Sequence, residues 1–271
     1  MACVKRSSGT APIVPMPKKH RTNSVNFPPP QVPSQNPTPP PPPPPPRAIT
    51  RKPLTQKPIQ RNSYKPNNNP FVVSNAIIAI NLGLFVWSQI SGVSRFQYNM
   101  FLSRVFLDNG EWYRLVSAGF VHFGLFHVAM NMFLLFQLGR MLEPAIGSTK
   151  FALIYFASLL SGSAGALLLS PTAFTGGASG AVFGVMAAGV VGTRQQGANP
   201  FKSGLGMTFA INIVLTLAIP GISIGGHFGG ALAGAVCGFV ILAPTRIKIP
   251  EFVQYATPIL VGAAAIYISL A

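Results

Sequence analysis

With 271 residues, 49% of them hydrophobic and only 9% charged, the chain carries too few charges to solvate the surface of an ordinary globular domain. That balance excludes a typical soluble protein and points to an all-α integral membrane protein. The net charge of +16 is no argument for a nucleic-acid partner: eleven of the twenty Lys and Arg fall in the first 70 residues, beside an apolar region, where basic residues reflect topology and attraction to anionic lipid.

Residues 1–70 form the first unit. They are rich in Pro, Asn, Ser, Lys and Arg, contain no acid, and include eight consecutive prolines from Pro39 to Pro46. Such a segment cannot bury a core, so we expect a disordered tail with polyproline II character at the proline run. The expected role is a solvated tail with an orienting charge, the alternative a ligand for an SH3-type or similar domain, with no binder identified. It lacks the short apolar core and small-residue cleavage site of a secretory signal, and its acid-free basic character suits an organellar transit peptide.

From Phe71 onward seven apolar segments follow, at roughly 71–90, 124–142, 149–169, 178–194, 204–220, 226–244 and 251–270. Most approach the ~20 residues a helix needs to cross a bilayer. The fourth and fifth are short or Gly-rich and should be shorter helices inside the bundle. No alternating ten-residue pattern recurs, so strands are not expected. The connection 91–123 mixes Arg95, Arg104, Asp108, Glu111 and Arg114 with Phe96, Phe101, Phe106 and Trp112, which describes a folded segment at the interface. Cys3 and Cys237 give no disulfide framework, and Cys237 sits in an apolar helix as a packing residue.

If the basic tail is inside, the inner loops carry Arg140 and Lys150, then Arg194 and Lys202, then Arg246 and Lys248, as the positive-inside bias requires. This topology puts Ser179, His227, and His127 with Asn131 at helix starts on the outer side. Several polar groups at one depth in a bilayer mark a functional cavity.

Small residues recur every fourth position at Gly226, Gly230, Gly234 and Gly238, and at Gly176, Gly180, Gly184 and Ala188. Two such stripes allow two backbones to approach closely, for packing alone or to bring Ser179 to His227. An imidazole beside a serine can take its proton and return it to a leaving amine. No carboxylate is placed to orient His227, since Asp108 and Glu111 lie in the first outer connection and Glu143 and Glu251 lie toward the inner side. The arrangement is therefore a Ser-His dyad. Phe183, four residues after Ser179, can stack on the imidazole. His127 and Asn131, also four apart, can aim two donors at a developing oxyanion, or hydrogen-bond between helices. His122 is read as a brace for the outer connection. Zinc is not expected: His122 and His127 lie five apart, roughly 140° around a helix, and no HExxH pattern is present. No cofactor is implied.

These residues resemble the rhomboid family of intramembrane serine proteases over about 71–245. Glu111-Trp112-Tyr113-Arg114 is similar to the family's Trp-Arg signature with one inserted tyrosine, and His122 through Asn131 is similar to its second-helix motif. Gly177-Ala178-Ser179-Gly180 matches its Gly-x-Ser-Gly, and Gly226-His227-Phe228-Gly229-Gly230 resembles its sixth-helix motif. The resemblance implies a six-helix transmembrane core over 71–245, with an additional C-terminal transmembrane helix in 246–271. It implies Ser179 as nucleophile, His227 as general base, and His127 and Asn131 as oxyanion donors beside the Ser179 N–H. Gly177, Gly180 and Phe183 support them, and His122, Trp112, Arg114 and Glu143 are structural. Substrates would be single-pass transmembrane proteins entering from the lipid bilayer, cut near the outer face, with 204–226 gating entry. A silent rhomboid-like protein that binds membrane clients is the alternative, but such relatives commonly lose the serine or histidine kept here. The connection 197–206 resembles bacterial members, which implies a bacterial plasma membrane, with a plastid membrane as the alternative.

Overall fold

The structure is a computed structural model that describes residues 71–243 and 246–271. The basic Pro-rich tail expected over residues 1–70 lies outside the described residues. All seven apolar segments are helices: α1 (Val72–Ser91), α5 (Leu125–Ile146), α6 (Ser148–Leu169), α7 (Ser179–Gln195), α8 (Leu205–Ala218), α9 (Ile224–Ile241) and α10 (Glu251–Leu270). The connection after α1 folds into short helices α2 (Val93–Met100), α3 (Arg104–Asp108) and α4 (Arg114–Ser117), closed by a 3-10 turn at Ala118–Phe120. Among the described residues the strand-like pairing is one isolated bridge, Leu102 with Thr175.

Five of the seven long helices are long and apolar enough to cross a membrane. The other two, α7 and α8, have 17 and 14 residues, as the fourth and fifth segments foreshadow. At 1.5 Å per residue they span about 26 and 21 Å, less than the ~30 Å hydrocarbon core, so neither reaches both faces unaided.

Close backbone approach sets the centre. A Cβ added at Gly180 would sit 3.0 Å from the Gly226 carbonyl oxygen, and one added at Gly230 or Gly234 would strike the carbonyls of Gly180 and Gly184. At Gly238 it would meet the Ala188 α-carbon at 2.5 Å. The two small-residue stripes therefore face each other, and α7 and α9 touch backbone to backbone. α6 joins them through Gly162, where a Cβ would lie 2.9 Å from the Gly226 oxygen and 3.3 Å from the Gly180 α-carbon. Behind this junction Phe151, Ile154, Tyr155, Val185, Met186 and Cys237 are fully buried. α10 packs on α6 near Gly262 and Leu160.

The opposite end carries the basic loops. Arg140 stacks its guanidinium 3.9 Å over the Phe71 ring, and Lys150 donates to Gln254 at 2.8 Å. Glu143, fully buried there, accepts the Val73 and Ser74 N–H groups at 2.8 and 2.9 Å and the Ser148 hydroxyl at 2.6 Å. Those N–H groups belong to the first turn of α1, which has no side-chain cap of its own. A carboxylate from α5 thus supplies what an N-cap supplies elsewhere, and complements the helix dipole.

Candidate active site

Ser179 opens α7, preceded by a turn at Gly177 whose φ of +128° favours glycine. That turn is pinned from three sides. Gly177 N–H donates to the Ala118 carbonyl at 2.8 Å, Ala178 N–H faces His122 Nε2 at 3.4 Å, and Thr175 and Leu102 exchange two backbone bonds of 2.8 Å. His122 is buried, and the residue its Nε2 faces is the one before Ser179. The outer connection is therefore bonded to the turn that precedes Ser179.

Arg114 holds that connection together. It is 2% exposed, donates from Nε and Nη2 to Glu111 Oε2 at 2.9 and 2.7 Å, and from Nη1 to the Tyr98 and Phe101 carbonyls at 2.7 and 2.9 Å. Its guanidinium also lies 3.9 Å over the Phe106 ring. A buried cation satisfied by one carboxylate, two carbonyls and an aromatic face is a structural clamp. The Tyr113 hydroxyl and the Arg114 guanidinium, both bonded to the Glu111 carboxylate, hold its pKa below the usual value. Trp112, two-thirds exposed, lines an apolar groove with Ile80, Leu84 and Phe120.

His227 stands in the first turn of α9, which Ser223 caps by accepting the Gly226 N–H at 3.1 Å. Gly180 and Gly226, the neighbours of Ser179 and His227 in sequence, approach each other across the α7–α9 seam. Phe183 stacks on the imidazole, with ring centroids 4.1 Å apart and planes 19° from parallel. His127 approaches from α5: a methyl added at Gly177 would be 2.9 Å from His127 Nε2 and 3.6 Å from Ser179 Oγ, so both border the same point.

Phe123 N–H faces His127 Nδ1 at 3.4 Å, and Nε2 on the other side of the ring borders Gly177. Asn131, buried one turn on, donates one amide N–H to the His127 carbonyl at 2.9 Å and retains a second. The first N–H groups of α7 lack intrahelical partners by construction and lie at the positive end of the helix dipole. Ser179 Oγ and the His127 ring thus border one point at Gly177, with Asn131 one turn along α5.

The sequence reading gave α8 a place only in the 204–226 gate and singled out none of its residues. The Thr216 hydroxyl lies 2.7 Å from His227 Nδ1 and 2.7 Å from the Asn212 carbonyl, and Phe209 packs 6.1 Å from Phe183. The signal was present: Thr208, Asn212 and Thr216 form a polar stripe, every fourth residue, in an otherwise apolar helix. Gly162 and Gly165 on α6, which admit α9 from its second side, were also passed over.

Comparison with known proteins finds a matching family profile and several relatives. The Rhomboid domain family profile matches residues 109–244, about half of the chain. Rhomboid protease GluP of Bacillus subtilis is 32% identical over 131 residues, 47% of this chain and 26% of that protein. RHOMBOID-like protein 6, mitochondrial, of Arabidopsis thaliana is 29% identical over 202 residues, covering 72% of this chain and 60% of that one. RHOMBOID-like protein 5 of the same plant is 34% identical over 150 residues, 52% of this chain and 48% of that one. In each case the match spans less than two thirds of the relative's length.

Proposed function

The chain belongs to the rhomboid family of multi-pass membrane proteins, a family of intramembrane serine peptidases, and from that footing we propose that it is itself an active intramembrane serine endopeptidase. The observation that carries this reading is the Phe183 ring, one turn after Ser179 on α7, stacked on His227 of α9 where Gly180 approaches Gly226; it supports pairing Ser179 with His227.

In the proposed reaction Ser179 Oγ attacks the carbonyl carbon of a substrate peptide bond while its proton passes to His227 Nε2. The carbonyl oxygen becomes an oxyanion, stabilised by the Ser179 N–H, His127 Nε2–H and the second N–H of Asn131. His227 returns the proton to the leaving amine as the C–N bond breaks. Water then attacks the acyl-enzyme, gives its proton to Nε2, and restores Ser179 as the acid is released. Gly177 and Gly180 make room for the substrate and for α9, while His122, Trp112, Arg114 and Glu143 keep the surrounding elements in place.

The substrates we propose are single-pass transmembrane proteins that enter from lipid and are cut near the outer face. The core would comprise 71–245 and the additional helix 246–271, in a bacterial plasma membrane or, given the acid-free tail, a plastid membrane. The test is purified protein in liposomes with a single-pass reporter. Product from the wild type and none from Ser179→Ala supports the peptidase. Uncut reporter with a folded wild type, retained on the protein by crosslinking, favours the silent client-binding alternative.

A further inference from the structure

The peptidase reading leaves His227 without the carboxylate that usually orients a catalytic imidazole. The four described acids are placed elsewhere in the fold: Asp108 ends α3, Glu111 is bound to Arg114, Glu143 caps α1 at the far end, and Glu251 opens α10. The side of His227 opposite its reacting nitrogen is occupied instead by Thr216 of α8, 2.7 Å from Nδ1 and 2% exposed.

Counting donors settles the direction of that bond. Thr216 Oγ1 is also 2.7 Å from the Asn212 carbonyl oxygen. Two oxygens at that separation need a proton between them, and only the hydroxyl has one to give. With its proton committed to Asn212, Thr216 can only accept from His227. Nδ1 therefore carries the imidazole hydrogen, and Nε2 keeps its lone pair for the serine proton.

We infer that Thr216 is the positioning residue of the site: it fixes His227 in the Nδ1–H tautomer and accepts from it when the imidazolium forms. This inference rests on the peptidase reading for its catalytic consequence, although the tautomer itself does not. Phe209, Asn212 and Thr216 follow one another at i, i+3 and i+7 on a single face of α8. That face supports both layers of the site, Phe209 behind Phe183 and Thr216 behind His227. The rest of α8 presents Met207, Ile211, Val214 and Leu217, each more than half exposed, to the surroundings.

A neutral hydroxyl suits this location. A carboxylate beside His227 would have to be held charged within the membrane, at a large desolvation cost, whereas a threonine whose proton is already bonded to its own helix brings no charge. Its donation to the Asn212 carbonyl polarises the oxygen and strengthens its acceptance from Nδ1. A side-chain oxygen thus reaches the imidazole from a helix that contributes nothing else polar to His227 among the described contacts.

The test compares wild type, Thr216→Val and Thr216→Ser in proteoliposomes with a single-pass reporter, alongside Ser179→Ala. Valine keeps the shape and removes the oxygen. We expect Thr216→Val to lower kcat about tenfold or more with KM little changed. The acidic limb of its pH–kcat profile should move to lower pH, because an imidazolium without its acceptor gives up its proton more readily. Thr216→Ser should recover most of the rate and the original limb. Unchanged kcat and pH limb in Thr216→Val, or equal losses in both variants, would overturn the inference. A second readout is independent of activity: ¹⁵N-histidine NMR of the full chain should show His227 protonated at Nδ1 in the wild type and not uniformly so in Thr216→Val. An Nε2–H form in the wild type overturns the positioning role. Absence of Ser179-dependent cleavage together with the expected spectra rejects the peptidase reading and leaves the tautomer assignment standing.

Discussion

The ring of Phe183 lies 4.1 Å from that of His227, 19° from parallel, and both belong to helices whose backbones touch at Gly180 and Gly226. Stacking fixes the plane of the imidazole, and the Thr216 contact fixes its rotation within that plane. Phe183→Ala should therefore cut kcat roughly five- to tenfold beyond any loss of folded protein. Phe183→Tyr, which keeps the ring, should retain most of the rate. Steady-state cleavage in proteoliposomes checks both.

In the proposed mechanism His127 and Asn131 serve the oxyanion, not the ground state. His127→Ala should lower kcat about a hundredfold while KM moves little. Equal changes in KM would point to substrate binding instead. Asn131→Ala adds the loss of its bond to the His127 carbonyl, so the double variant should fall less than the product of the two single effects.

The α7–α9 seam has no slack. Gly234→Ala directs a methyl at the Gly184 backbone, which cannot step aside as a flexible side chain could. We expect destabilisation of about 1–3 kcal/mol, seen as a lower thermal midpoint in detergent. Gly83→Ala, where nothing lies within 4 Å, is the control and should leave the midpoint unchanged or raise it.

Glu143 acts on the far side of the molecule. Glu143→Ala strips the α1 N-terminus of two bonds to a buried carboxylate and should cost about 2 kcal/mol of stability. In the protein that remains folded, kcat should be near that of the wild type, because the site lies at the opposite end.

Acid should loosen the outer connection through Glu111. Its pKa is depressed from 4.5 by bonds from Tyr113 and Arg114, so its stabilising contribution is complete above 4.5 and is lost as pH falls through the lower folded value. The acid limb of a thermal-midpoint titration should be shallower in Glu111→Gln than in the wild type. Parallel limbs would count against the Glu111–Arg114 clamp.

The elements legible in the sequence are those announced by runs and spacing. Seven apolar segments gave seven helices, and the four-residue small stripes of 226–238 and 176–188 face each other as their periodicity implies. The stacking of Phe183 on His227 was readable because both residues sit near the starts of helices that the stripes bring together. Thr216 was not, because nothing in the chain says which face of α8 turns inward until Phe209 is seen against Phe183. Glu143 could be assigned to the inner end by topology, but its bonds to Val73 and Ser74 join residues some 70 apart, and no local pattern encodes them.

The most direct measurement is covalent labelling of the purified protein with a serine-directed fluorophosphonate, followed by peptide mapping. Such a probe reacts only with a hydroxyl whose proton is being withdrawn. The account predicts one adduct, on the peptide containing Ser179, abolished in Ser179→Ala and strongly reduced in His227→Ala. Undiminished labelling in His227→Ala, or an adduct on a different serine, would contradict it.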